Sequence, residues 1–272
     1  MKKQIIILIT IVITAISQAQ EIGNYLSFNI GSGQNNLLYM LNEGTQTALY
    51  GYTVNLAFNH SFTPGIGFQT GIGVQTFSAL SILNLTESTP AIDSDGDSYI
   101  FKSNLIDWRE RQQVLFLEVP LTVQYKLKTN DKIGLLLTAG AKILIPVNAT
   151  YKTNGGEIVT SGEYPQYNIE LTDLPQHGFT SITNNYMGKY SFKPSYIAVA
   201  ELGGTYKISE KNELYLGSYI NYGLNNILNL DTKMLYQIDG TYNGVLGTYQ
   251  TESVKLFSIG VKLGLFLKLG KK

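Results

Sequence analysis

The segment FSIGVKLGLFLKL, Phe257 to Leu269, restricts the fold more than any other stretch. Phe257, Ile259, Val261, Leu263, Leu265, Leu267 and Leu269 fall on one face of an extended chain. Ser258, Gly260, Lys262, Gly264 and Lys268 fall on the other, with Phe266 the exception. Successive side chains of a strand point to opposite sides, so one side is greasy and the other polar or small. Seven more segments alternate in this way, near 22–34, 49–62, 66–82, 113–127, 133–151, 193–208 and 213–228. The polar face of a soluble sandwich meets water and is rich in charge. Here it is mostly Gly, Ser, Thr, Asn and Gln, and charged residues make up only 15% of the chain. Apolar-out, polar-in strands of about ten residues mark a membrane barrel. No run of 18 apolar residues follows the N-terminus, so no transmembrane helix is expected there. The predicted fold is an all-β, eight-stranded antiparallel transmembrane β-barrel.

The connections give an independent argument. FTPGI (62–66), KTNDK (128–132) and SEKNE (209–213) read as tight hairpin turns. Long polar stretches lie between them, near 35–48, 83–112, 152–192 and 229–252. Short and long connections alternate strictly, as in barrels with short periplasmic turns and long extracellular loops. The long stretches carry 14 Asp and Glu against 6 Lys and Arg. Tyr196 and Tyr206 share the apolar face of one segment, ten residues apart. Tyr50, Tyr52, Tyr125 and Tyr151 sit near segment ends on the apolar side, as an interfacial aromatic belt requires.

Lys2 and Lys3, the apolar run Ile5–Ile16 and the small-x-small Ser17-Gln18-Ala19 read as a secretory signal peptide over 1–19. The barrel domain is then 20–272. Removing Lys2 and Lys3 leaves 18 basic against 20 acidic residues, a balance that does not suggest nucleic acid. The chain has no cysteine, which excludes disulfides and thiolate metal sites.

Glu118 and Pro120 interrupt the apolar strand LFLEVPLTVQYKL (115–127). Both fall on the inward parity, and Pro120 predicts an irregularity in the ladder. If KTNDK turns about Asn130, Glu118 faces Lys142 across the hairpin, within ion-pairing reach. Glu201, Lys207 and Lys262 share the inward parity of other strands and extend this candidate lumen network. Eight strands enclose a lumen just wide enough to be filled by side chains, which favours a structural network over an ion path.

Three weaker motifs lie in the long stretches. Asp93, Asp95 and Asp97 alternate like the start of a calcium loop, but Ser98 and Asn104 stand where that loop needs Gly and Glu. An acidic turn is the simpler reading, and no other cofactor is expected. Trp108, Arg109 and Arg111 read as an interface anchor, with the arginines placed for lipid phosphates. His60 and His177 are expected at opposite barrel ends, so a catalytic triad would have to use His177 alone. The chain is read as non-enzymatic.

The chain resembles the small PorT-like outer-membrane β-barrels of Bacteroidetes. The likeness lies in YLSFNIGSG, FLEVPLTVQYKL, IGLLLTAGAKILIPV and FSIGVKLGLFLKL. The ending Gly270-Lys271-Lys272 departs from the closing aromatic residue of many such barrels. The resemblance implies an outer-membrane location, with lipid and lipopolysaccharide as surroundings and the barrel-assembly machinery as partner during insertion. The expected role is structural or surface-interacting, with a protein partner at the extracellular loops. A component of a secretion or uptake assembly and a small passive channel are the alternatives.

Overall fold

The computed structural model describes residues 23–63, 65–229 and 233–270. The signal-peptide expectation for 1–19 lies outside them. Eight strands form the wall: β1 (Asn24–Tyr39), β2 (Tyr50–Thr63), β3 (Ile66–Ile92), β4 (Ser98–Lys128), β5 (Ile133–Thr153), β6 (Ser195–Lys207), β7 (Asn212–Gly223) and β8 (Val254–Leu269). Each pairs antiparallel with its neighbours in sequence. β8 pairs back onto β1 from Asn24↔Leu269 to Tyr39↔Val254, so the sheet closes into a barrel. Closure removes the unpaired edges that a bilayer would not tolerate.

The outward face is apolar on every strand. Ile30, Leu56, Ile72, Val123, Leu137, Leu202, Leu216 and Val261 are all at least 40% exposed. A belt of this kind far exceeds the apolar patches of soluble proteins and requires a lipid surround. Tyr196 and Tyr206 point outward at the two ends of β6. Their ten-residue spacing is about 33 Å of strand, close to the belt spacing a tilted strand needs. The barrel is therefore a transmembrane one. Leu263 lies midway along the belt on β8. Leu263→Arg is expected to cost about 2–4 kcal/mol, read as a lowered urea midpoint on heat-modifiability gels, with Leu263→Ala as the mild control.

The short turns are held by side chains. Asn130 Oδ1 accepts the N–H groups of Lys132 and Ile133, and Ser209 Oγ accepts those of Lys211 and Asn212. Asn130 thus centres its turn one residue later than the sequence suggests, with Lys128 opposite Gly134. The β4–β5 register moves by two. Glu118 lies opposite Leu144, and Lys142 opposite Pro120. Pro120 produces no bulge. It leaves a gap in the β3–β4 ladder between Thr70↔Leu121 and Gly73↔Glu118, because it has no N–H to donate. In this strand pair the bulge lies on β5, where Leu115 pairs with Asn148 and Phe116 with Pro146; the β2–β3 and β3–β4 pairs have register shifts of their own at Ser61/Thr63 and Leu83/Leu85. The extra residue, Val147, reverses the parity above it. Asn148 therefore points out, and Tyr151 turns inward and is buried, so Tyr151 is not part of the aromatic belt.

The largest departure from expectation is in the long connections, which are folded. β3 and β4 continue beyond the lipid belt as one hairpin with its tip at 93–97. Strand Glu157–Tyr164 adds to β4, and short strands Ile169–Leu171 and Ser181–Ile182 add to it in turn. Leu83, Phe101, Leu105, Trp108, Ile158 and Phe179 form a second core inside this cap, with Leu235, Tyr242 and Val245 from the last loop.

Candidate functional site

Inward side chains fill the lumen in layers. At the short-turn end Leu136, Tyr215 and Phe266 pack together, with Tyr25 against them. Tyr215 is accommodated by glycine. A Cβ at Gly203 or Gly217 would stand 2.4 or 2.2 Å from its side chain, too close for any real contact.

Above this floor lies a charged and amide-rich layer. Lys142 Nζ is 3.3 Å from Glu118 Oε2, and both are buried. The contact is diagonal, because their strands are offset by two residues. Asn55 Nδ2 donates to Glu118 Oε1 at 2.9 Å, and Asn29 donates to Asn55 at 2.8 Å. Lys262 pairs with Glu201, and its ammonium lies 5.6 Å from the Tyr219 ring centre. Lys142 is also within electrostatic reach of Glu201, so the two pairs form one cluster. Buried charges persist only when paired and hydrogen-bonded, which this arrangement supplies. Lys207 does not join it. It lies at the short-turn mouth, exposed, because the inward parity of β6 leaves the lumen one residue pair earlier.

At the opposite end, loop residues Phe192, Ile227, Leu228 and Leu246 pack against Leu37, Phe77, Phe116 and Leu256 of the wall. The lumen is thus closed by side chains from both ends.

The cap is locked to the wall by two buried carboxylates that the sequence reading passed over. Glu110, fully buried, accepts from Tyr242 Oη at 2.6 Å, Gln112 Nε2 at 2.8 Å and the Val245 N–H at 3.0 Å. Tyr190 Oη donates at 2.5 Å to Oε1, which it shares with Gln112, while Tyr242 and the Val245 N–H donate to Oε2. Trp108 Nε1 donates to Tyr242 Oη at 3.0 Å. Burial raises the Glu110 carboxyl above its ordinary value, and the donors pull part of the way back. Burial and the adjacent carboxylate raise the Tyr190 and Tyr242 phenols. Glu87 accepts the Leu235 N–H at 2.8 Å and the Gln250 amide at 3.1 Å.

These contacts correct the anchor expectation. Trp108 is 1% exposed inside the cap, so it anchors no membrane interface. Arg109 and Arg111 do point outward, by strand alternation with Trp108, Glu110 and Gln112. Asp93 is occupied as a turn cap. Its Oδ1 accepts the N–H groups of Asp95 and Asp97, and its Oδ2 the Tyr164 hydroxyl. The Asp97 N–H, with these other donors, holds its carboxyl below the usual value. Tyr167 donates to Asp97 at 3.0 Å. Among the described residues no group of three His, Cys, Asp or Glu is placed to hold a metal ion. His60 Nδ1 lies 2.6 Å from Asn24 Oδ1 at the short-turn end, and the His177 ring lies against Phe179 in the cap. The two histidines share no site.

No family model matches the chain, and neither does any curated protein. Among solved structures, Neisserial surface protein A matches at TM-score 0.38 and 9% identity, over 91% of this chain and 97% of that one. The outer membrane protein OprG of Pseudomonas aeruginosa matches at 0.39 and 10%, over 93% and 99%. The attachment invasion locus protein Ail of Yersinia pestis matches at 0.31 and 11%, over 92% and 100%. These superpositions are loose, and the barrel assignment rests on the strand pairings and the apolar belt.

Proposed function

We propose that the chain is an integral outer-membrane barrel with a structural or surface-interaction role, carried by its folded cap rather than by conduction or catalysis. The observation that supports this most is the closure of the lumen. An aromatic floor, a paired-charge layer and an apolar plug follow one another from mouth to mouth. The signal-peptide reading and the resemblance to PorT-like barrels support export to the outer membrane. With the short turns in the periplasm, the cap faces outward and offers a rigid surface to a protein partner or to lipopolysaccharide.

The test is a planar-bilayer recording of the purified, heat-modifiable protein. The expected result is no stepwise conductance from the native chain. Stable single-channel steps at neutral pH would overturn the filled-lumen reading and favour a passive channel. Protease accessibility on intact cells tests the orientation: cleavage near 93–97 is expected, and protection there with cleavage at 128–132 would reverse it.

A further inference from the structure

The short-turn mouth holds a cavity of about 160 Å³ that plays no part in the role proposed above. The space is well below the about 300–1,000 Å³ of a pocket for a drug-sized ligand and suits a small group. Five lysines line it: Lys126, Lys128, Lys132, Lys207 and Lys211. Two are already neutralised. Lys126 pairs with Glu213, and Lys128 with Asp131 at 3.3 Å. Lys132, Lys207 and Lys211 have no ion-pair partner among the described residues, and Glu210 is the one remaining carboxylate on the lining. The three sit along one arc of the rim. The Lys207 N–H donates to the Lys132 carbonyl at 2.7 Å, and Lys211 lies in the turn that follows β6.

The cavity lining adds a second observation. Thr205 and Asn59 line the cavity and are each 3% exposed. Thr205 Oγ1 has no hydrogen-bond partner in the protein; Asn59 Oδ1 has none either, but as an acceptor it is met by water or a protonated phosphate oxygen and not by the anion's bare oxygens. Buried polar atoms of this kind are uncommon and call for an explanation. Leu136 and Phe266 close the apolar side of the floor.

We propose that this mouth binds a phosphate group. Three ammonium groups without partners exceed what a single carboxylate neutralises, and lysine suits phosphate as a point charge. The Thr205 hydroxyl, buried in the wall beside the cavity, becomes a donor to the group once its side chain rotates, and the apolar side accommodates the carbon skeleton of a phosphate ester. A free phosphate and an anionic lipid headgroup present the same chemistry.

The experiment uses the full barrel, isotope-labelled and held in an uncharged sugar detergent, titrated with inorganic phosphate at constant ionic strength. Amide shifts of Gly134, Thr205 and Lys207 are followed. A parallel set places the barrel in bilayer discs of phosphatidylcholine with or without phosphatidylglycerol. A saturable shift with free phosphate, weakened about tenfold or more in the K132Q/K207Q/K211Q variant, is the expected result. A shift seen only with phosphatidylglycerol, and lost in the variant, assigns the headgroup as the source and upholds the site. If the triple variant does not fold, K207Q and K211Q singly supply the reading, each with a severalfold loss. No saturable shift with either probe, or equal affinity in native and variant chains, overturns the proposal. None of these outcomes depends on conductance or on which end faces the cell surface.

Discussion

Glu110→Ala is expected to release residues 233–250 from the barrel mouth while leaving the barrel inserted. The carboxylate receives two tyrosine hydroxyls, one amide side chain and the Val245 N–H. Alanine leaves those donors buried and unsatisfied, at about 1–3 kcal/mol each. The loss therefore exceeds the strength of any one bond in the cap. Hydrogen exchange at Val245 and Leu246 reads it directly, and heat-modifiability reports the wall. An unchanged exchange rate at Val245 would show that the apolar contacts of the second core hold the segment alone.

The same carboxyl sets a pH dependence with a definite sign. Its folded value is raised, so the folded state binds a proton more readily than the unfolded one. Its contribution is fully present below the ordinary value of 4.5 and is lost as pH rises through the raised one. Protection at Val245, corrected for intrinsic exchange, should fall as pH climbs through that window. The titratable groups facing Glu110 are the Tyr190, Tyr242, Tyr151 and Tyr39 phenols, themselves raised and neutral there. Glu110→Gln should flatten the profile.

Lys142→Met is expected to destabilise the barrel by about 3–5 kcal/mol, because Glu118 remains buried without its cation. Adding Glu118→Leu should restore most of the loss, since an apolar pair of similar volume avoids the desolvation of both charges. A strongly non-additive cycle in urea midpoints is the signature. Additive losses would mean that Lys142 is served mainly by Glu201.

The barrel was legible because its signal is local and repeated. Alternation at period two placed all eight wall strands, and parity put Glu118, Lys142, Glu201 and Lys262 in the lumen. Pairing was less legible. The partner of Glu118 depended on a turn whose centre is set by Asn130 accepting two N–H groups, which spacing alone does not reveal. The cap was hidden for a different reason. Its core joins Phe101, Ile158, Phe179 and Tyr242, residues from three separate loops, so no short window carries its pattern. Glu110 could have been found. Extending the even parity of Glu118 back through Gln112 makes Glu110 and Trp108 inward and leaves Arg109 and Arg111 outside.

The single inserted residue at Val147 has a consequence for engineering this scaffold. Below it β5 shows its odd-numbered residues to lipid, and above it shows them to the cap interior. β5 thus belongs to two solvents, and the insertion is the seam between them. Removing Val147 would restore one continuous phase and throw Tyr151 and Thr153 to the outside together. Grafts of foreign epitopes are therefore expected to succeed at the 93–97 tip, which lies beyond the corresponding parity change of β4 near Asp107, and to fail when cut at 147–153. The display surface and the membrane wall cannot be exchanged as separate modules, because one backbone threads both.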